Sequence, residues 1–116
     1  MRKIIGSLAL GAMVFCATAV HAGEFQVKMV PQQAYQGGQV LTFMQLKITS
    51  MSDKEEIIRK VVFNRGNCQL YEGDLKMFPK KLKYGESLLL GKGTCDELLE
   101  VAIEADSGGY KFKFNN

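Results

Sequence analysis

Hydrophobic positions follow two different rules along this chain. From Ile4 to Val20 they run together with no charge among them, whereas from Phe25 onward they alternate with polar residues. The alternation is the period-two signature of half-buried strands. Phe25, Val27 and Met29 alternate with Gln26 and Lys28, and Pro31 is expected to end that run and open a turn-rich stretch to Gly38. A second strand is predicted from Gln39 to Thr49, with Met44, Leu46 and Ile48 on one face and Gln45, Lys47 and Thr49 on the other. The polar run Ser50 to Glu56 reverses the chain. A third strand, Ile57 to Asn64, is rich in β-branched residues and closes on the turn formers Asn64, Gly66 and Asn67.

Between Gln69 and Gly93 four glycines and a proline cut the chain into short pieces, with strands expected near Leu75 to Phe78 and Ser87 to Leu90. The end reads as a hairpin. Leu99, Val101, Ile103 and Ala105 alternate with Glu100, Ala102 and Glu104; Asp106-Ser107-Gly108-Gly109 turns; Tyr110, Phe112 and Phe114 alternate with Lys111 and Lys113. About seven short strands without repeats or linkers predict an all-β fold, a small antiparallel β-sandwich of immunoglobulin-like architecture.

The uninterrupted run has a different meaning. Arg2 and Lys3 precede it and Val20-His21-Ala22 follows, the order of a cleavable secretory signal. Its 17 residues include Gly6, Ser7, Gly11 and Thr18 and no basic stop-transfer cluster follows, so it is short for a membrane span. Phe15 ahead of Cys16 argues against a lipid-anchored start. The expected organisation is a signal peptide over residues 1–22 and a single sandwich domain over 23–116, without a transmembrane segment in the mature chain, in the periplasm or outside the cell. Oligomeric state is not specified by the sequence.

Cleavage changes the charge. The full chain carries 15 basic and 12 acidic residues; losing Arg2 and Lys3 leaves 13 against 12, close to neutral. A neutral domain lacks the concentrated basic face of nucleic-acid binding. Two cysteines remain, Cys68 and Cys95, which an oxidising compartment pairs. In the expected sandwich the third and sixth strands are antiparallel neighbours, so the end of one, near Cys68, lies beside the start of the other, near Cys95.

The single histidine, His21, leaves with the signal, taking the usual base of a serine or cysteine nucleophile and the usual zinc ligand. The acidic run Asp96, Glu97, Glu100, Glu104 and Asp106 offers carboxylate pairs for an envelope hydrolase, but Lys111 and Lys113 on the facing strand predict a solvated, charge-paired face. Met29, Met44, Met51 and Met77 suit a soft-metal (copper) carrier in ligand chemistry, although they are scattered and two lie on apolar strand faces. No cofactor motif is present; Gly91-Lys92-Gly93-Thr94 lacks the length of a phosphate loop.

These exclusions favour a non-enzymatic interaction module that binds another macromolecule, a protein in the first place, in the manner of an inhibitor, immunity or assembly-accessory protein. Two candidate surfaces stand out. Lys76, Lys80, Lys81 and Lys83 interleave with Phe78 and Tyr84 around Pro79, a basic segment with aromatic anchors, or an edge strand protected by lysine and proline. Arg65, in the turn beside Cys68, is the second, because a rigid turn presents a side chain at little ordering cost.

Overall fold

The computed structural model describes residues 19–22, by backbone alone, and 24–114. The body of the predicted export signal, with Cys16, and the predicted mature start Gly23 lie outside the described residues. The remainder is mostly β: two four-stranded antiparallel sheets packed as a sandwich. In chain order the elements are β1 (Ala19–Ala22), β2 (Phe25–Gln36), β3 (Gln39–Ser50), β4 (Glu56–Phe63), a short helix α1 (Glu72–Leu75), β5 (Lys80–Leu82), β6 (Ser87–Leu90), β7 (Glu100–Ala105) and β8 (Gly108–Lys113). One sheet has the order β1-β2-β3-β6 and the other β5-β4-β7-β8. β1 lies within the segment predicted to be removed on export.

The core lies between the sheets. Phe25, Val27, Leu46, Ile48 and Leu90 from the first sheet meet Ile58, Phe63, Val101, Ile103 and Phe112 from the second, all essentially without solvent contact. Phe25 also stacks edge-to-face on Tyr110, with centroids 5.2 Å apart, tying the two sheets at one end. In β4 the inward residues are Ile58, Val61 and Phe63, and the odd step from 58 to 61 cannot be met by a regular strand. A bulge between Ile58 and Lys60 resolves it, turning Arg59 outward to form a two-pronged ion pair with Asp106, Nε to Oδ1 at 2.8 Å and Nη2 to Oδ2 at 3.2 Å.

β4 and β7 are antiparallel neighbours, Phe63 opposite Val101, as expected for the third and sixth strands. Cys68 and Cys95 are joined there, with Cα atoms 5.2 Å apart. The bridge is framed by a reciprocal clip: the Thr94 N–H donates to the Gln69 carbonyl at 2.8 Å, and the Gln69 N–H donates to Thr94 Oγ1 at 2.8 Å.

Three local expectations are corrected. Pro31 does not end the first strand: β2 and β3 form one continuous ladder of twelve residues each, from Phe25↔Ser50 to Gln36↔Gln39. β1 covers β2 only as far as Lys28, so beyond it β2 is an edge, where a missing N–H costs no ladder bond. The turn is therefore only Gly37-Gly38, both at positive φ (56° and 81°), the two-residue geometry glycine supplies most readily. Residues Leu75 to Phe78 are not a strand; α1 and a following turn occupy that region, and the Phe78-Pro79 peptide bond is cis. Finally, Leu99 is about half exposed whereas Glu100, expected in solvent, is buried.

Candidate functional site

The basic segment is split among several structural roles. Lys76 caps α1 and is exposed; Met77 and Phe78 pack against the core cluster; Lys80 and Lys81 lie on β5, the edge strand of its sheet, with Leu82 turned inward. Lys83 and Tyr84 occupy the turn before β6, where the Lys83 N–H donates to Glu86 Oε1 at 2.7 Å and Tyr84 stands well into solvent. Phe78 is thus a packing residue and not a free anchor, because its ring is half-buried against the domain's own core. The segment presents four lysines and Tyr84 on or beside a sheet edge.

The Arg65 turn is more rigid than its sequence suggests. Asn64, Arg65 and Gly66 all have positive φ (47°, 58° and 89°), and the Asn64 side chain explains how two non-glycine residues hold that conformation. Its Oδ1 accepts from the N–H groups of Leu99 (2.8 Å) and Glu100 (3.0 Å), and its Nδ2 donates to the Glu97 carbonyl at 2.8 Å. Asn64 thereby lashes the turn to the start of β7. Arg65 Nε then reaches Glu100 Oε1 at 3.2 Å, giving that buried carboxylate a cation whose other side is largely in water. A hollow of about 350 Å3 opens here between Arg65, Glu100, Lys113, Leu99 and Phe114. The acidic run is consequently not one solvated face: Glu104 is exposed opposite Lys60, Asp106 is paired to Arg59, and Glu100 sits under Arg65.

The most prominent surface feature is the far end of the β2-β3 ladder. β3 is covered by β6 only from Leu46 to Thr49, and β2 by β1 only from Phe25 to Lys28. The seven residue pairs from Val30↔Gln45 to Gln36↔Gln39 therefore have no third strand on either side. They form a two-stranded arm roughly 24 Å long at 3.4 Å per residue, which accords with a longest dimension of 56 Å against 33 and 26 Å. Tyr35 and Val40 face each other across the arm on the face that continues the core, near Met44; Ala34 and Leu41 pair on the opposite face, beside Phe43. Tyr35 is 78% exposed, Val40 51%, and Leu41, Phe43 and Met44 each 45%, so this one element holds five of the ten large exposed hydrophobic side chains among the described residues.

The arm is also without charge. Met29 to Leu46, 18 consecutive residues, contain no Asp, Glu, Lys, Arg or His in a chain that is 23% charged. That run was the available sequence signal. At the base of the arm a cleft of about 670 Å3 separates Thr42 to Gln45 from Tyr71, Asp74, Gly91 and Lys92. Its far wall is braced by the Gly91 N–H donating to Asp74 Oδ2 at 3.0 Å, with the Tyr71 ring laid over Gly91.

Of the methionines considered as soft-metal ligands, Met29 and Met77 pack against the core and Met44 lies on the arm. Among the described residues no group of three His, Cys, Asp or Glu side chains could hold a metal ion, and no helix is long and apolar enough to cross a membrane. No protein-family model, curated protein or solved structure matches the chain.

Proposed function

We propose that the chain is an exported, non-enzymatic interaction module of immunoglobulin-like architecture, acting in the periplasm or outside the cell by binding a protein partner, with the β2-β3 arm as its docking element. The observation that supports this reading is the arm: a charge-free ribbon, apolar on both faces, held out from a closed sandwich. A two-stranded ribbon gains little stability alone in water, and contiguous exposed apolar surface on an exported domain marks a place where something else binds. The disulfide and its framing clip fit an oxidising compartment. Lys80 and Lys81 on the β5 edge, and Arg65 at its braced turn, are exposed cations available to steer an approaching partner at long range.

The test is capture from envelope extract with the processed protein, whose N-terminus mass spectrometry should place at Gly23 without lipid. Capture of a protein that is lost with Leu41→Lys/Phe43→Lys supports the reading. Retention of residues 1–22 removes the assignment as a soluble exported domain. Absence of any specific partner, with turnover of a cell-wall glycan that Glu100→Gln abolishes, replaces the reading by the carboxylate hydrolase.

A further inference from the structure

The composition of the arm restricts what can cover it. A partner that lies against one face leaves the other in water, yet Tyr35, Val40 and Met44 stand on one face and Leu41 and Phe43 on the other. Pairing along an edge instead sets apolar side chains of two ribbons beside each other on both faces at once. A two-fold contact also places each group of an interface against the region around its own copy, so a charge near its centre meets its like. A foreign partner imposes no such constraint, since it can supply the opposite charge. The arm obeys the stricter rule over all 18 residues from Met29 to Leu46, while Lys28 and Lys47 stand directly outside it and the rest of the surface carries both signs.

The two edges of the arm differ. On β2 the free edge contains Pro31, which removes a donor and blunts pairing. On β3 the free edge from Gln39 to Gln45 contains no proline, lysine or bulge, the usual protections against strand addition. Identical edges related by a two-fold axis run antiparallel, the relation already used by every pair of strands in this molecule.

We propose that the arm joins two copies of this chain, β3 of one pairing edge-to-edge with β3 of the other about a two-fold axis near Thr42, so that the two arms form a four-stranded sheet. This identifies the partner in the reading given above and rests on the arm being its docking element. With Thr42 on the axis, Val40 of each copy lies opposite Met44 of the other, and Leu41 opposite Phe43. The tip of each arm then reaches the cleft at the base of the other, beside Tyr71 and Lys92. The interface has an apolar, uncharged centre and a polar rim, the composition expected of a lasting contact between identical chains.

Sedimentation of the processed protein over a wide concentration series tests this directly. A dimer mass is expected, and Leu41→Lys/Phe43→Lys should weaken association by at least about 100-fold, the scale of losing two central apolar anchors and setting four cations together. Far-UV circular dichroism and an intact disulfide confirm that this variant retains the sandwich. As a second measurement independent of that variant, Thr42→Cys should oxidise to a covalent dimer, because paired residues of an antiparallel ladder approach to about 4.5–5.5 Å between Cα atoms, within disulfide range. Tyr84→Cys, exposed but remote from the arm, should not. A monomer at every concentration overturns the proposal, as does equal cross-linking of the two cysteine variants or an arm variant that dimerises like the wild type. A monomer whose arm captures a different protein overturns self-association and leaves the broader reading standing; a monomer whose arm binds lipid vesicles and no protein overturns both.

Discussion

Replacement of Asn64 measures how the Arg65 turn is held. The side chain makes three hydrogen bonds, two accepted from Leu99 and Glu100 and one donated to Glu97. Each is worth about 1 kcal/mol net, but the donors differ: the Leu99 N–H is exposed and regains water when abandoned, whereas the Glu100 N–H is part-buried and carries a desolvation penalty of about 1–3 kcal/mol. Asn64→Gly removes all three bonds yet adopts φ 47° freely, so it should cost about 3 kcal/mol. Asn64→Ala removes the same bonds and adds the left-handed penalty of about 1–2 kcal/mol, for roughly 4–5 kcal/mol in total. Asn64→Asp keeps the acceptor and loses the donor, and should fall near 1 kcal/mol. Urea unfolding with an unchanged m-value reads these differences. Equal costs for glycine and alanine would show that the backbone is not strained there, and losses under about 0.5 kcal/mol throughout, the range of an ordinary surface change, would show that the brace does not exist.

Three further outcomes follow from local geometry. A Cβ on Gly93, at φ 63°, would run into the Gln69 carbonyl and lie 2.9 Å from Leu70 Cα, so Gly93→Ala should cost about 3 kcal/mol or more in thermal or urea unfolding and break the 69/94 clip beside the disulfide. Cys68→Ala opens a bridge spanning a sequence separation of 27 and should lower stability by about 3–4 kcal/mol, with intact mass on reduction of the wild type rising by two hydrogens. The hydrogen bonds from Arg59 hold the Asp106 carboxyl below its usual range, with charge attraction adding and desolvation opposing. A depressed folded value means that its contribution is present above the unfolded carboxyl range and is lost as pH falls through the folded value. Arg59→Ala should therefore move the Asp106 titration midpoint upward in an NMR pH series and shrink that acid-side loss of stability, and an unmoved midpoint would contradict the pairing.

Legibility in the sequence followed whether a strand has one wet and one dry face. β7 and β8 do, and their alternation from Val101 to Ile103 and through Phe112 marked the hairpin and its position beside the disulfide. β4 could be located but not its bulge, because Arg59-Lys60 reads as two ordinary polar positions until Ile58 and Val61 are seen to share the core. Leu75 to Phe78 looked like a strand because a helix of four residues is too short to show a period. The braced turn was visible only as turn formers: Asn64 bonds to residues 33 to 36 positions away, which no local pattern encodes. For the same reason the sequence marked Phe78 as a candidate anchor when its neighbours place it against the core.

The arm escaped for a reason that bears on its use. Its strands have no dry face supplied by their own fold, so they do not alternate: Ala34-Tyr35, Val40-Leu41 and Phe43-Met44 place apolar residues on both sides of the ribbon. A strand selected only to close a sandwich would carry polar residues outward at these positions, as Lys28, Lys47 and Thr49 do lower on the same two strands. The change of rule falls between Met29↔Leu46, the last pair packed on the core, and the seven pairs beyond it. Folding of the sandwich does not require those seven pairs, since the buried core holds no residue between Val30 and Gln45. The continuous β2-β3 ladder nevertheless carries them outward as an extension of two core strands, so that the apolar surface is offered in a fixed direction without the ordering cost of a loose loop. Substitutions there are therefore expected to separate binding from stability, whereas substitutions at Phe25, Ile48 or Ile103 would remove both.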